Sequence, residues 1–243
     1  MATFTLVHGA MHGGWCWKQV ARLLRAEGHE VYAPTLSGQG DRQRELTRET
    51  GVGTHVEDLQ SLLWFEDLTD VHLVLHSYAG VLAGPLAERL EDRLASVVFL
   101  AAFVAGPGQS LLDVEPPAVA QRYREQVASE GEGWFLPATA GFLSQWGIDD
   151  ERLRDWVGPR LTDFPFRCQA DPVHFDGGPL ERLRKVYVAH TSPPLPSLAP
   201  FYEAAVTAGW ETHELAAGHD LMLAAPGATA ALLDDIAGGR PPD

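Results

Sequence analysis

The chain has 243 residues, of which 45% are hydrophobic and 21% charged, and its formal net charge is −15. That length fits one large domain, or a domain with an inserted subdomain, and the composition excludes a disordered chain. So acidic a balance argues against a nucleic-acid partner, whose phosphates call for clustered Lys and Arg, and it predicts mainly solubility.

The start "MATFTLVHGA" lacks a basic segment followed by an apolar h-region, and no apolar run approaches the ~18 residues of a membrane span. A cytoplasmic protein without a membrane partner is expected. Cys16 and Cys168 lie far apart without CxxC spacing, so two buried thiols are expected rather than a disulfide framework or a zinc site.

"TFTLVHG" reads as a buried strand ending at Gly9. Trp17, Val20, Leu23 and Leu24 then recur at helical spacing, with Gly28 as the stop. "HEVYAPTL" is a second strand closed by "SGQGD", and residues 54–68 predict a helix with Thr54 as N-cap and Glu57 three residues on. "DVHLVLHS" is a third strand, "AGVLAGPLAERL" a helix and "LASVVFLAAF" a fourth strand.

From about residue 104 to 180 this rhythm breaks into Pro, Gly and clustered aromatics, with helical segments near 117–129 and 150–157 and no strand periodicity. It resumes with "RKVYVAHT", a helix around 198–208, the strand "WETHELA" and a last helix from about 225 to 236. The expectation is an α/β fold: a mostly parallel sheet flanked by helices, built from residues 1–103 and 181–243, with 104–180 inserted as a helical cap. Ligands of such folds bind at the carboxyl ends of the strands.

Three motifs fall at such ends. In "LHSYAG" Ser77 follows a strand and precedes a helix, the setting of a strained turn that exposes a nucleophile. Leu75 and Ala79 occupy the places that a G-x-S-x-G turn fills with glycine, and the bland alternative is a helix-capping serine. In "AAGHDLML" His219 follows the last strand, a suitable place for a general base, in the chain order serine then histidine. In "HGAMHGGW" glycines let backbone N–H groups approach an oxyanion, with the N–H of Tyr78 as partner donor. His8 and His12 brace that loop more plausibly than they bind metal, since no carboxylate accompanies them. No phosphate loop, dinucleotide fingerprint or metal cluster is present, so a small-molecule substrate is expected, with no cofactor and no metal, for a monomer or homodimer.

With these residues in this order the chain resembles the α/β-hydrolase fold, and more narrowly the small esterase and hydroxynitrile lyase group that includes plant salicylate methyl esterases and bacterial relatives. "LVHGAMHGGWCW", "AEGHEVYAPTLSG", the elbow, "VVFLAAFV" and "AGHDLMLAAP" carry the resemblance across nearly the whole chain. It implies Ser77 and His219 as catalytic residues and the backbone N–H groups of Ala10 and Tyr78 as the oxyanion hole. It also implies an acid, either after "KVYVAHT" or after "VVFL". The first place reads "SPPLPSL" and the second is Ala101, so both are empty. Asp113, Glu115, Asp149, Asp163, Asp171 and Glu203 remain as candidate acids for folding to bring in, while Asp220 is set aside because neighbouring loop side chains seldom face each other. The lysine that a hydroxynitrile lyase of this group would be expected to carry is absent from "SPPLPSL", and Lys185 lies at the strand's start.

Loss of the acid of a serine-protease triad costs about 10⁴-fold in rate, the worked figure for that system. Three functions therefore stay open. The first is a hydrolase of an ester, thioester or lactone of an apolar, aromatic or polyketide-like molecule. The second is a non-hydrolytic cyclase, lyase or decarboxylase of secondary metabolism, and the third a catalytically dead binding protein. Met11, Trp134, Phe135 and Trp146 are the candidate pocket residues, although aromatics there also suit packing of the cap onto the body.

Overall fold

The computed structural model describes residues 1–239. Strand β1 (Thr3–Val7) leads through a short 3₁₀ turn into α1 (Lys18–Ala26), and β2 (Glu30–Tyr32) is followed by α2 (Val52–Phe65). Then come β3 (Val71–His76), α3 (Ala83–Leu90) and β4 (Leu94–Leu100). Residues 104–180 carry α4 (Leu111–Val114), α5 (Pro117–Glu130), β5 (Phe135–Leu136), α6 (Gly141–Gln145), α7 (Glu151–Val157), β6 (Phe164–Pro165), α8 (Arg167–Ala170) and the start of α9 (Gly177–Arg182). The chain closes with β7 (Arg184–His190), α10 (Ala199–Thr207), β8 (Glu211–Leu215), α11 (Leu221–Ala224) and α12 (Pro226–Gly238).

Six strands form one parallel sheet in the order β2-β1-β3-β4-β7-β8. Every residue of β3 is buried, as a strand covered on both faces must be. Helix α1 packs on α12, and α3 on α2 and α9, so the sheet is flanked by helices as the alternation of elements predicts. No helix among the described residues is long and apolar enough to cross a membrane. Cys16 and Cys168 are buried free thiols.

Two expectations need correction. Between β4 and β7 the aromatic stretch is not purely helical: β5 and β6 pair antiparallel, Phe135 with Pro165 and Leu136 with Phe164. Two residues a side are too few for periodicity to register. Helix α2 begins at Val52, with extended Gly51 before it, so Thr54 is not the N-cap. Thr54 Oγ1 instead accepts the Gly51 N–H at 3.3 Å from inside the first turn.

The turn after β3 is the tightest feature of the fold. Ser77 has φ of 54°, left-handed backbone for a residue with a side chain, and a 3₁₀ turn over Ser77–Leu82 precedes α3. The Phe103 N–H donates to the Ser77 carbonyl at 3.1 Å, fastening the turn to the chain beyond β4. At Gly80 a Cβ would stand 2.2 Å from the Phe103 carbonyl oxygen, so only glycine fits there. Leu75, by contrast, is fully buried in the sheet, level with Val7 and Phe99 on its neighbours. Its bulk serves the core and takes no part in the turn's close approaches.

Gly80→Ala should therefore destabilise by roughly 1–3 kcal/mol, the usual cost of overpacking. Gly53→Ala is the control: it lies in α2 with nothing within 4 Å of a new Cβ, and should gain a few tenths to about 1 kcal/mol. Urea midpoints of the two variants should move in opposite directions.

Candidate active site

The elbow holds Ser77 at the carboxyl end of β3, and the loop after β8 brings His219 to it. The Ser77 hydroxyl donates to His219 Nε2 at 2.9 Å. This arrangement requires neutral imidazole, and burial together with His76, His190 and His12 pushes the His219 pKa well below 6.5. The proton of such an imidazole sits on Nδ1, which is buried with no hydrogen-bond partner. A carboxylate behind the histidine is thus missing from the geometry as well as from the sequence.

The loop after β1 passes over Ser77 at close quarters. A Cβ at Gly9 would lie 2.8 Å from Ser77 Cβ. His8 Nδ1–H donates to the Gly9 carbonyl at 2.8 Å, while its Nε2 accepts the Leu36 N–H at 3.0 Å. A trans peptide points its N–H opposite to its C=O, so this grip turns the Ala10 N–H away from His8. Met11 follows at φ of 66°, and its carbonyl accepts the Thr162 N–H at 3.0 Å. Ala10 and Met11 line the same cavity as Ser77. The Tyr78 side chain turns elsewhere: its hydroxyl donates to His55 Nδ1 at 3.0 Å and its ring meets Phe164 edge-on.

Asp220, set aside in the sequence reading, is the fully buried carboxylate of the site. It does not bond His219. His12 Nε2–H donates to Asp220 Oδ2 at 3.2 Å, and His12 Nδ1–H donates to the Ala10 carbonyl at 2.8 Å. Burial lowers the His12 pKa, but the charge and hydrogen bond of Asp220 outweigh it, with the Ala10 carbonyl helping, and the net shift is upward. Both ring nitrogens of His12 face acceptor oxygens, the Ala10 carbonyl and Asp220 Oδ2, which is the bonding pattern of a doubly protonated ring. His76 Nε2–H donates to the His219 carbonyl at 3.0 Å and lies 3.8 Å from Asp220 Oδ1, which has no bond of its own. Donor atoms of His76, His219 and Asp220 lie within 4.8 Å of one another, so a cation is geometrically conceivable there. It would compete with the bonds to Ser77, His12 and the His219 carbonyl that these side chains already make.

At the end of β7, just before the place where the resemblance puts an acid, stands His190. Its Nε2 accepts the Leu195 N–H at 2.9 Å, and its ring packs against His219 at 5.1 Å. Of the other acids, Asp113 is engaged by Ser110 at the start of α4, Asp163 by the Ala138 N–H and Asp171 by Arg167. Asp149 and Glu203 are exposed. Only Glu115 reaches the cavity.

That cavity has a volume of about 40 Å³ and is lined by Gly9, Ala10, Met11, Ser77, Phe103, Leu136, Phe142, Trp146 and His219, together with Glu115, Tyr123 and Gln169 of the intervening segment. Such a volume holds a few waters and lies well below the ~300 Å³ at which small-molecule sites begin. Of the four predicted pocket residues, Met11 and Trp146 line it. Trp134 and Phe135 do not: they pack on each other, and Arg48 stacks over Trp134. Their place on and beside the β5–β6 ladder, which the sequence did not register, directs them away.

A parallel sheet with a serine on a strand-turn-helix elbow, bonded to a histidine after the last strand, defines the alpha/beta hydrolase class of protein. The chain belongs to the alpha/beta hydrolase family, whose model matches residues 6–232. It is 31% identical over 233 residues to a carbendazim hydrolyzing esterase of Nocardioides sp. (strain SG-4G), covering 93% of this chain and 96% of that protein. To methyl jasmonate esterase 1 of Vitis vinifera it is 35% identical over 112 residues, 46% of this chain and 43% of that one. Its fold matches that of an extracellular alpha/beta-hydrolase from a Paenibacillus species with a TM-score of 0.85 at 19% identity, over 96% and 98% of the two chains.

Buried histidines also make stability depend on pH. Desolvation lowers His8 to about 3 and His55, His76 and His190 to about 4. Because these folded values lie below the unfolded 6.5, the unfolded chain takes up protons first as pH falls, and stability is lost between about pH 6.5 and 4. Each group costs about 2 kcal/mol by pH 5, and raised His12, of opposite sign, offsets only part. Thermal unfolding should show Tm falling steeply from pH 7 to pH 5; an unchanged Tm would contradict the buried neutral histidines.

Proposed function

We propose that the protein is a serine esterase that cleaves a small ester, thioester or lactone with an apolar, ring-bearing part. The 2.9 Å bond from Ser77 to His219 Nε2, on a left-handed elbow, carries this reading. Names of the relatives support ester hydrolysis, and Met11, Phe142 and Trp146 suit an apolar substrate. Residues 104–180 act as the cap that closes over it.

In this mechanism Ser77 Oγ attacks the carbonyl carbon while its proton passes to His219 Nε2. The N–H groups of Ala10 and Tyr78 receive the oxyanion. Imidazolium His219 then protonates the leaving alcohol, and water, deprotonated by the same nitrogen, releases the acid. No carboxylate backs Nδ1, so the pair works as a dyad and forms its imidazolium at a cost that a triad avoids.

The unpartnered Nδ1 also favours a second reading, a non-hydrolytic lyase or cyclase in which His219 moves a proton and Ser77 only holds a carbonyl. Variants separate the two. Under the esterase reading Ser77→Ala and His219→Ala each lower turnover of p-nitrophenyl acetate by about 10³-fold or more, and Ser77→Ala abolishes fluorophosphonate labelling. Unchanged turnover in Ser77→Ala would refute it. Because neutral His219 is the base and its pKa is low, kcat/KM should stay flat from pH 8 to 6. A base of pKa 6.5 would lose about fourfold over that range.

A further inference from the structure

Glu115 caps the C-terminal end of α4 and is 7% exposed, yet it lines the same cavity as Ser77. Its Oε2 is buried without a hydrogen-bond partner. Gln169, 3% exposed on α8, which packs against α4, lines the cavity too, and its Oε1 is likewise unpartnered. Two residues that line one space therefore each carry a buried acceptor atom to which nothing donates. A buried acceptor without a donor costs about 1–3 kcal/mol, more when it is charged, so their natural complement is a ligand that brings N–H groups.

The surroundings decide the sign of that ligand. No Lys or Arg lines the cavity, and its one cation, His12, is spent on Asp220. Arg122, the guanidinium whose charge reaches Glu115, is exposed and lies over the Tyr123 ring. A carboxylate-bearing substrate would meet Glu115 and no free cation. Resting on the reading of this cavity as the substrate site, we propose that Glu115 is its specificity residue, selecting substrates whose non-reacting part carries a hydrogen-bearing nitrogen: an ammonium, an amidinium or a heterocyclic N–H. Gln169 adds a second polar contact beside it. Burial lifts the Glu115 pKa to about 7 against the opposing pull of Ser197 and Arg122, so a bound cation would draw it back to the ionised form.

Benzamidine and benzoate test this, because they are near-isosteres and the cost of opening so small a cavity cancels between them. In calorimetric titrations of the wild-type protein, benzamidine should bind at least ~10-fold tighter than benzoate, the scale of a charge-assisted hydrogen bond. Glu115→Gln keeps the shape and removes the charge, and should erase the preference in a protein whose thermal unfolding confirms that it folds. Should that variant not fold, Glu115→Asp, which withdraws the carboxyl by one methylene, should weaken benzamidine severalfold. No preference in the wild type, a preference that survives Glu115→Gln, or no saturable binding of either ligand would overturn the proposal. Selective benzamidine binding by a protein that hydrolyses no aryl ester would remove the esterase reading and leave the Glu115 site standing; ester turnover without selectivity would do the reverse.

Discussion

Two loops at the carboxyl edge of the sheet meet at one buried carboxyl group, Asp220. Asp220 is fully inaccessible, and a carboxylate in that position without compensation would cost several kcal/mol. His12, 208 residues away in sequence, supplies the compensation, and its second N–H fixes the Ala10 carbonyl. The loop after β1 and the loop after β8 are thereby tied at one point. That tie holds Gly9 and Ala10 over Ser77 while Asp220's neighbour, His219, reaches the serine hydroxyl. A buried ion pair is weak evidence of net stability, since apolar replacements of such pairs can be neutral or better. Its use here is positional, setting two loops in register around a third.

A steric constraint works alongside the charge. Ser77 occupies left-handed backbone, and the space around it is kept by absent side chains at Gly9 and Gly80. The familiar pentapeptide pattern locates the need for small residues two positions before and two after the serine. In this chain the need falls elsewhere: one glycine lies on the facing loop and one lies three residues after the serine. Leu75 packs into the sheet core instead, and the departure from the pattern says little about whether the serine reacts.

Most of the fold was legible because alternating strands and helices write their periods into consecutive residues, and the six parallel strands fall where "TFTLV", "EVY", "VHLVLH", "LASVVFL", "RKVYVAH" and "ETHEL" lie. Ser77 and His219 were legible because each stands at the end of such a strand. The misses share a physical cause. His12 and Asp220 meet only in three dimensions, and the rule that neighbouring loop side chains diverge was right about Asp220 and His219 while hiding the partner Asp220 does have. Trp134 and Phe135 were assigned to the pocket by composition, but a two-residue ladder turns them outward, and nothing that short leaves a pattern. Glu115 was visible only as an acid in search of His219, because a sequence does not reveal which way a helix terminus aims its side chain.

On the esterase reading, the surroundings that keep His219 ready as a base also restrict its chemistry. Burial and three neighbouring histidines hold it neutral, so the base is available at any pH near neutrality. A base held neutral so firmly gains little from accepting a proton, and the imidazolium it must become has no carboxylate on Nδ1 to stabilise it. The penalty is greatest where the proton must be carried to a reluctant leaving group, and least where the leaving group departs with little help. Such a site favours acyl compounds whose leaving group is already stabilised. On that reading catalysis rests more on the oxyanion donors and on binding than on proton transfer, and polar contacts lining the cavity would matter more than they would beside a complete triad.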